Sequence, residues 1–138
     1  SILQWQLTSD YSLLAGGGFY GDTTSPLHPT QRFWNLKQLA STPKDLRAMK
    51  LTIEGNDISG AALGDNKKGI YAIHLVNNGA ARKVAFSGLP YKVKSLRVWV
   101  TDKRRNMQQM KPVAVTNGRA SFMLDATCFT TLESGASD

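Results

Sequence analysis

The chain has 138 residues, 41% of them hydrophobic and 20% charged, with a formal net charge of +7. That length suits one compact domain able to bury about two-thirds of its unfolded surface without metals or disulfides, and the composition excludes disordered and fibrous classes. No stretch approaches the roughly 20 apolar residues that cross a bilayer, and Ser1 opens a strand with no basic leader, so a mature soluble fragment is expected.

In chain order, Ile2 to Leu7 reads as a strand carrying Trp5, followed by a loop rich in Gly, Ser, Thr and Pro that includes Tyr20. A structureless loop of that length inside a compact domain is uncommon and usually functional. In "HPTQRFWNLKQLA" Pro29 suits a first helical turn, and Phe33, Leu36 and Ala40 share a face. One helix over 29 to 41 is predicted, with Trp34 in the core.

From Ala48 the period becomes two. "MKLTIE" places Met49, Leu51 and Ile53 on one face, as in a half-buried strand. Further strands are read in "GIYAIHLVNN" after the turn "GDNKKG", in "RKVAFSG" with Val84 and Phe86 inward, in "VKSLRVWVTD" with Leu96, Val98 and Val100 inward, and in "TCFTTLES". Asn78-Gly79 and Asn117-Gly118 are hairpin dipeptides, the second lying between "PVAV" and "RASFML". Strands spaced about ten residues apart argue for a mainly β fold: an antiparallel β-sandwich of about seven to eight strands, with an N-terminal strand, a long loop and one short α-helix. The chain divides into a strand-loop-helix over 1–45 and a sandwich over 46–138.

The chemistry is sparse. Glu54 and Glu133 are the only glutamates and form no recognisable pair of the kind a glycosidase needs. His28 and His74 lack a third ligand, so neither a metal nor another cofactor is expected. Cys128, the single cysteine, reads as a buried inert thiol. "GGGFYGD" fits no phosphate-binding register. The basic residues scatter over turns and outward strand positions, so nucleic acid as a partner rests on charge alone.

Aromatic placement carries more. With Leu96, Val98 and Val100 inward, Trp99 stands on the opposite face beside Arg97, where an indole is either covered by the chain's own segments or serves as a stacking platform. Tyr20 in its glycine context and Tyr91 in "GLPYKVK", next to Lys92, are expected to be exposed.

The segments "ILQWQLTSDYSLL" and "HPTQRFWNLKQLASTP" resemble the last strand and helix of the β/α barrel in retaining glycoside hydrolases of the O-glycosyl hydrolase, glucuronoxylanase and glucosylceramidase-like type. "AALGDNKKGIYAIHLVNNG", "KVAFSGLP", "SLRVWVTD" and "FTTLES" are similar to the C-terminal β-sandwich that follows such barrels. The resemblance implies that both catalytic glutamates lie upstream of this sequence and that no catalytic residue is present. Trp5 alone matches a residue of the family's sugar cleft.

It further implies a secreted or periplasmic, bacterial, non-catalytic module with two alternative roles. One is binding of plant β-glycans (xylan, β-glucan or cellulose) through Trp99, Tyr91, Tyr20 and Trp5, with Arg97 and Lys92 as hydrogen-bonding neighbours. The other is bracing of the parent enzyme's catalytic barrel. The strand Ile2 to Leu7 would then pair with an edge of the sandwich or of a second copy in a homodimer.

Overall fold

The structure, a computed structural model, describes residues 13–18 and 24–135. Ten strands and one helix follow in order: β1 (Leu14–Ala15), β2 (His28–Pro29), α1 (Gln31–Ala40), β3 (Arg47–Met49), β4 (Ile58–Asp65), β5 (Ile70–Asn77), β6 (Arg82–Ser87), β7 (Ser95–Thr101), β8 (Gln108–Ala114), β9 (Arg119–Leu124) and β10 (Cys128–Glu133). A six-stranded antiparallel sheet has the order β3-β4-β5-β10-β7-β8, and β6 pairs with β9 in a second layer. The mainly β sandwich expected from the sequence is the observed architecture. The predicted strand Ile2 to Leu7, Trp5 and Tyr20 lie outside the described residues.

The pleat decides which residues meet between the layers. Register pairs Leu132 with Ile73 and Val98, and Thr130 with Leu75 and Val100, so these side chains share the inner face. Across from them, Val84 and Phe86 of β6 oppose Phe122 and Ala120 of β9. Leu96, Leu124 and Leu132 are fully buried there, with Val98, Val100, Leu75 and Tyr71 around them. The inward assignments of Val84, Phe86, Leu96, Val98 and Val100 therefore hold.

Several local expectations are corrected. The strand in "MKLTIE" is only its beginning: β3 spans Arg47–Met49, is exposed, and pairs with Gly64 to Ala62 of β4, after which the chain leaves the ladder. Leu51 and Ile53 keep their alternation as half-buried side chains without strand pairing. Strand β4 went unread because "ISGAALGD" has Ile58 as its single β-branched residue, and its Gly60 is required where a Cβ would meet the His74 carbonyl oxygen at 2.5 Å. The long loop after the N-terminal segment is partly tied, since Leu14 pairs with Pro29 and Ala15 with His28.

Helix α1 starts one residue after Thr30, whose hydroxyl accepts the Phe33 amide as the N-cap, so Pro29 belongs to β2 and not to the first turn. Ala40 is exposed, and Trp34 is only half-buried, edge-on to Phe33 with the Lys37 ammonium 4.8 Å from its ring centroid.

The two Asn-Gly dipeptides do different things from a plain hairpin. At Asn117-Gly118 the turn is present, with φ of 50° and 71° and reciprocal backbone bonds of 2.9 Å between Thr116 and Arg119. The flanking strands then part, β8 to β7 and β9 to β6, so this is a corner between layers and the ladder ends at one bridge. At Asn78-Gly79 neither residue has positive φ. Asn77 instead donates to the Ala80 and Asp125 carbonyls at 3.0 and 2.7 Å and accepts the Gly79 amide, stitching the crossover from β5 to β6. The true tight hairpin is at "DNKKG", where the Asp65 carboxylate accepts the Lys67 and Lys68 amides and Gly69 has φ of 72°.

Replacing Gly118 by alanine adds a Cβ against the Leu89 carbonyl oxygen at a left-handed φ. The expected outcome is a loss of more than about 1 kcal/mol by urea denaturation, and an unchanged midpoint would refute the corner's role.

Candidate functional site

The outer face of the six-stranded sheet is where the chain concentrates buried polarity. Register places Thr131 between His74 and Trp99, Phe129 between Val76 and Thr101, and Glu133 between Ala72 and Arg97. Thr131, Ala72 and Thr101 are at most 1% exposed, and His74 and Glu133 are 5% exposed. A sheet face so polar and so buried requires partners for each group.

Helix α1 supplies most of them through Gln38, a fully buried glutamine. Its amide nitrogen donates to the Trp99 and Phe129 carbonyls at 3.2 Å each and to Thr131 Oγ1 at 2.9 Å, and its Oε1 accepts the Thr101 hydroxyl at 2.7 Å. One helical side chain thus bonds both β7 and β10. His74 extends the network: Nδ1 lies 3.0 Å from Thr131 Oγ1 and Nε2 lies 2.9 Å from Thr42 Oγ1.

The direction of these bonds follows from counting protons. Thr42 uses its hydroxyl hydrogen on the Leu39 carbonyl at 2.6 Å, so toward His74 it accepts, and Nε2 carries the proton. Nδ1 is then free to accept the Thr131 hydroxyl, and every group is satisfied with a neutral imidazole. A second proton would put a donor on Nδ1 facing an oxygen that already accepts from Gln38, leaving the Thr131 hydrogen without its acceptor. Burial independently pulls the His74 pKa below its usual 6.5.

Glu133 closes the same face. Its Oε2 lies 3.4 Å from Arg97 Nη2, while Oε1 is buried and has no hydrogen-bond partner among the described residues. Desolvation pushes its pKa up; the Arg97 charge and the Trp99 indole oppose that shift. Cys128 is buried and its thiol pKa is pushed up mainly by burial, as an inert thiol requires.

The sequence-derived candidates do not converge. Trp99 is half-buried, flanked across the ladder by Thr131 and Gln109, with Arg97 exposed two residues away. Tyr91, 74% exposed, and Lys92 sit on the turn before β7, where Lys92 Nζ reaches the Asn66 carbonyl at 3.5 Å. The ring contacts among the described residues join Phe33 to Trp34, His74 to Phe129 and Phe86 to Phe122, none of which is an exposed platform. Among the described residues no three His, Cys, Asp or Glu side chains are grouped to hold a metal ion. Sequence reading missed Gln38, Thr101 and Thr131; the available signal was a glutamine four residues after Trp34 on the helix and the doubled threonine in "FTTL".

No protein-family model and no curated protein matches the sequence. Solved structures do match. A GH30 endoxylanase from Clostridium papyrosolvens is similar with a TM-score of 0.70 and 24% identity, over 78% of this chain and 28% of that one. The fold is that of one part of the family 30 xylanases. A family 30 subfamily 8 xylanase from Clostridium acetobutylicum gives 0.70 at 18% identity, over 77% of this chain and 28% of its own. The catalytic domain of GH30 xylanase C from Talaromyces cellulolyticus gives 0.70 at 13% identity, over 89% and 27%. The chain thus spans little more than a quarter of the length of these xylanase structures.

Two outcomes are expected from this site. Gln38→Ala takes one bond from each of four buried groups and should cost about 2 to 4 kcal/mol in urea denaturation; a loss below about 0.5 kcal/mol would show the network to be dispensable. His74 has a depressed folded pKa, so its contribution is complete above the unfolded value of 6.5 and declines as pH falls from there through the folded value. Subtracting the stability of His74→Gln from that of the native chain should expose this decline between pH 7.5 and 5, and a flat difference would contradict the neutral-imidazole network.

Proposed function

We propose that the chain is the C-terminal portion of a secreted polysaccharide-degrading glycoside hydrolase, in which the sandwich is non-catalytic and braces the barrel. In this reading α1 is the last helix of the barrel, and the Gln38 network is the part of the barrel-sandwich junction that the chain contains. The observation that carries it is the seating of α1: a helix tied by one fully buried side chain to two central strands, within a fold shared with a quarter of a xylanase. Exposed Glu54 and buried, Arg97-paired Glu133 offer no acid and nucleophile opening on a common cleft.

A second role, stacking of β-glycan on exposed aromatics, is favoured by one observation, the 74% exposure of Tyr91. Trp99 and Arg97 would add to it from the outer sheet face; Tyr20 and Trp5 remain candidates from the sequence alone.

A chimera tests the bracing. This chain, from Gln31 onward, replaces the superposed segment of the Clostridium papyrosolvens endoxylanase. Xylanase activity and a single melting transition are expected, with Gln38→Ala lowering that transition as a whole. Two independent transitions would show barrel and sandwich to be separately stable and would overturn bracing. The chain by itself should release no reducing ends from xylan or β-glucan. Gel retardation by xylan, β-glucan or cellulose that disappears with Tyr91→Ala or Trp99→Ala would establish the second role, and absence of retardation would remove it.

A further inference from the structure

At one end of the sandwich two loops bring lysines together against a third segment. The β4–β5 hairpin carries Lys67 and Lys68, the turn before β7 carries Lys92 and Lys94, and Ser134 and Gly135 follow β10. Lys68, Lys92 and Lys94 line a shared cavity of about 180 Å³ with Gly69, Ser95 and Ser134. The cavity's walls are held by fixed bonds. Ser134 Oγ accepts the Tyr71 amide at 2.8 Å and donates to the Gly69 carbonyl at 3.3 Å, and the Ser134 amide donates to the Tyr71 carbonyl at 2.9 Å. The Gly69 amide closes the hairpin on the Asp65 carbonyl at 2.7 Å.

Among the described residues the charge is only partly neutralised. Asp65 lies 4.0 Å from Lys68 and uses its Oδ1 on the Lys67 and Lys68 amides. Glu133, beside Ser134 in the chain, is buried against Arg97. Lys92 Nζ donates to the neutral Asn66 carbonyl at 3.5 Å, and neither Lys92 nor Lys94 pairs with an acid among the described residues. Like charges gathered around one concavity by fixed turns repel one another and raise the local concentration of anions. Most other basic side chains of the chain stand on separate turns and strands, as a solvated surface requires.

The size of the cavity and the turn beside it narrow the ligand. Drug-sized sites run from about 300 to 1,000 Å³, so this one suits a single charged group on one small ring. Tyr91, next in the chain to Lys92 and 74% exposed, offers a stacking face on the same turn. Nucleic acid would instead need a basic stripe that tracks successive phosphates, and these lysines converge on one point.

We propose that this loop end binds the carboxylate of a uronic acid residue in an acidic polysaccharide. The lysine ammonium groups hold the carboxylate, and Tyr91 packs on the ring. This site lies away from α1 and needs no contact with a barrel, so it stands or falls separately from bracing. It differs from neutral β-glycan binding in that the charge is required.

The test titrates the chain with an oligogalacturonate, with the fully methyl-esterified oligomer as its neutral twin, and with single-stranded DNA of matched charge. Binding of the acid form is expected, at least tenfold tighter than the ester or the DNA. Lys92→Ala/Lys94→Ala should weaken it at least tenfold with an unchanged melting temperature. The charge-matched pair Lys103→Ala/Lys111→Ala, on the β7–β8 turn and on β8, should leave it intact. Equal binding of the ester would show a neutral-sugar site, and equal binding of DNA or equal loss in the control pair would show net charge alone. Either of these, or no binding of the acid form, overturns the proposal.

Discussion

A fully buried glutamine is an unusual anchor for a helix, because its amide must find donors and acceptors with no water to help. Gln38 meets that requirement on the sheet itself, taking two backbone carbonyls and two threonine hydroxyls from β7 and β10. The constraint is mutual. The helix is held in one position by the spacing of the strands, and the strands keep their polar outer face only while the helix covers it. An apolar side chain in the same place would leave the Thr101 and Thr131 hydroxyls short of partners, and buried hydroxyls without partners are costly.

His74 and Thr42 carry the same logic to the end of the helix. With the Thr42 hydroxyl donating to the Leu39 carbonyl, the proton arrangement that serves Thr42, His74, Thr131 and Gln38 uses a neutral ring. The histidine thereby couples β5 to the segment leaving α1. Glu133 is the contrasting case on the same face, with one oxygen facing Arg97 and the other buried with no partner among the described residues. The sandwich thus has two kinds of surface: a sheet face covered by a helix, and loop ends where Tyr91 and the lysines stand exposed.

The polar network was illegible in the sequence for a physical reason. Helical spacing marks apolar stripes, and Gln38 reads as a surface residue because glutamine usually is one. Only the meeting of α1 with β7 and β10, distant in sequence, turns it inward. The Asn-Gly dipeptides show the opposite limit. Local conformational preference correctly marked a turn at Asn117-Gly118, yet it is blind to where the two strands go afterwards, and they go to different layers. The same blindness hid β4, whose Gly60 and Ala61 have weak strand preference and are held by pairing with β5. Among the candidate site residues, the exposure of Tyr91 and of Arg97 was legible from position in turn and pleat, whereas the flanking of Trp99 was not.

What the sequence by itself determined is the part governed by period and turn chemistry: the alternation that sends Leu96, Val98 and Val100 inward, one helix within 29 to 41, turns at "GDNKKG" and at Asn117-Gly118, and hence a mainly β sandwich with one helix. Tertiary structure decided which strands are neighbours, which polar groups are buried, and which lysines share a cavity. Those depend on contacts between residues far apart in the chain. Their free energy comes from mutual desolvation and hydrogen bonding, which no local pattern encodes.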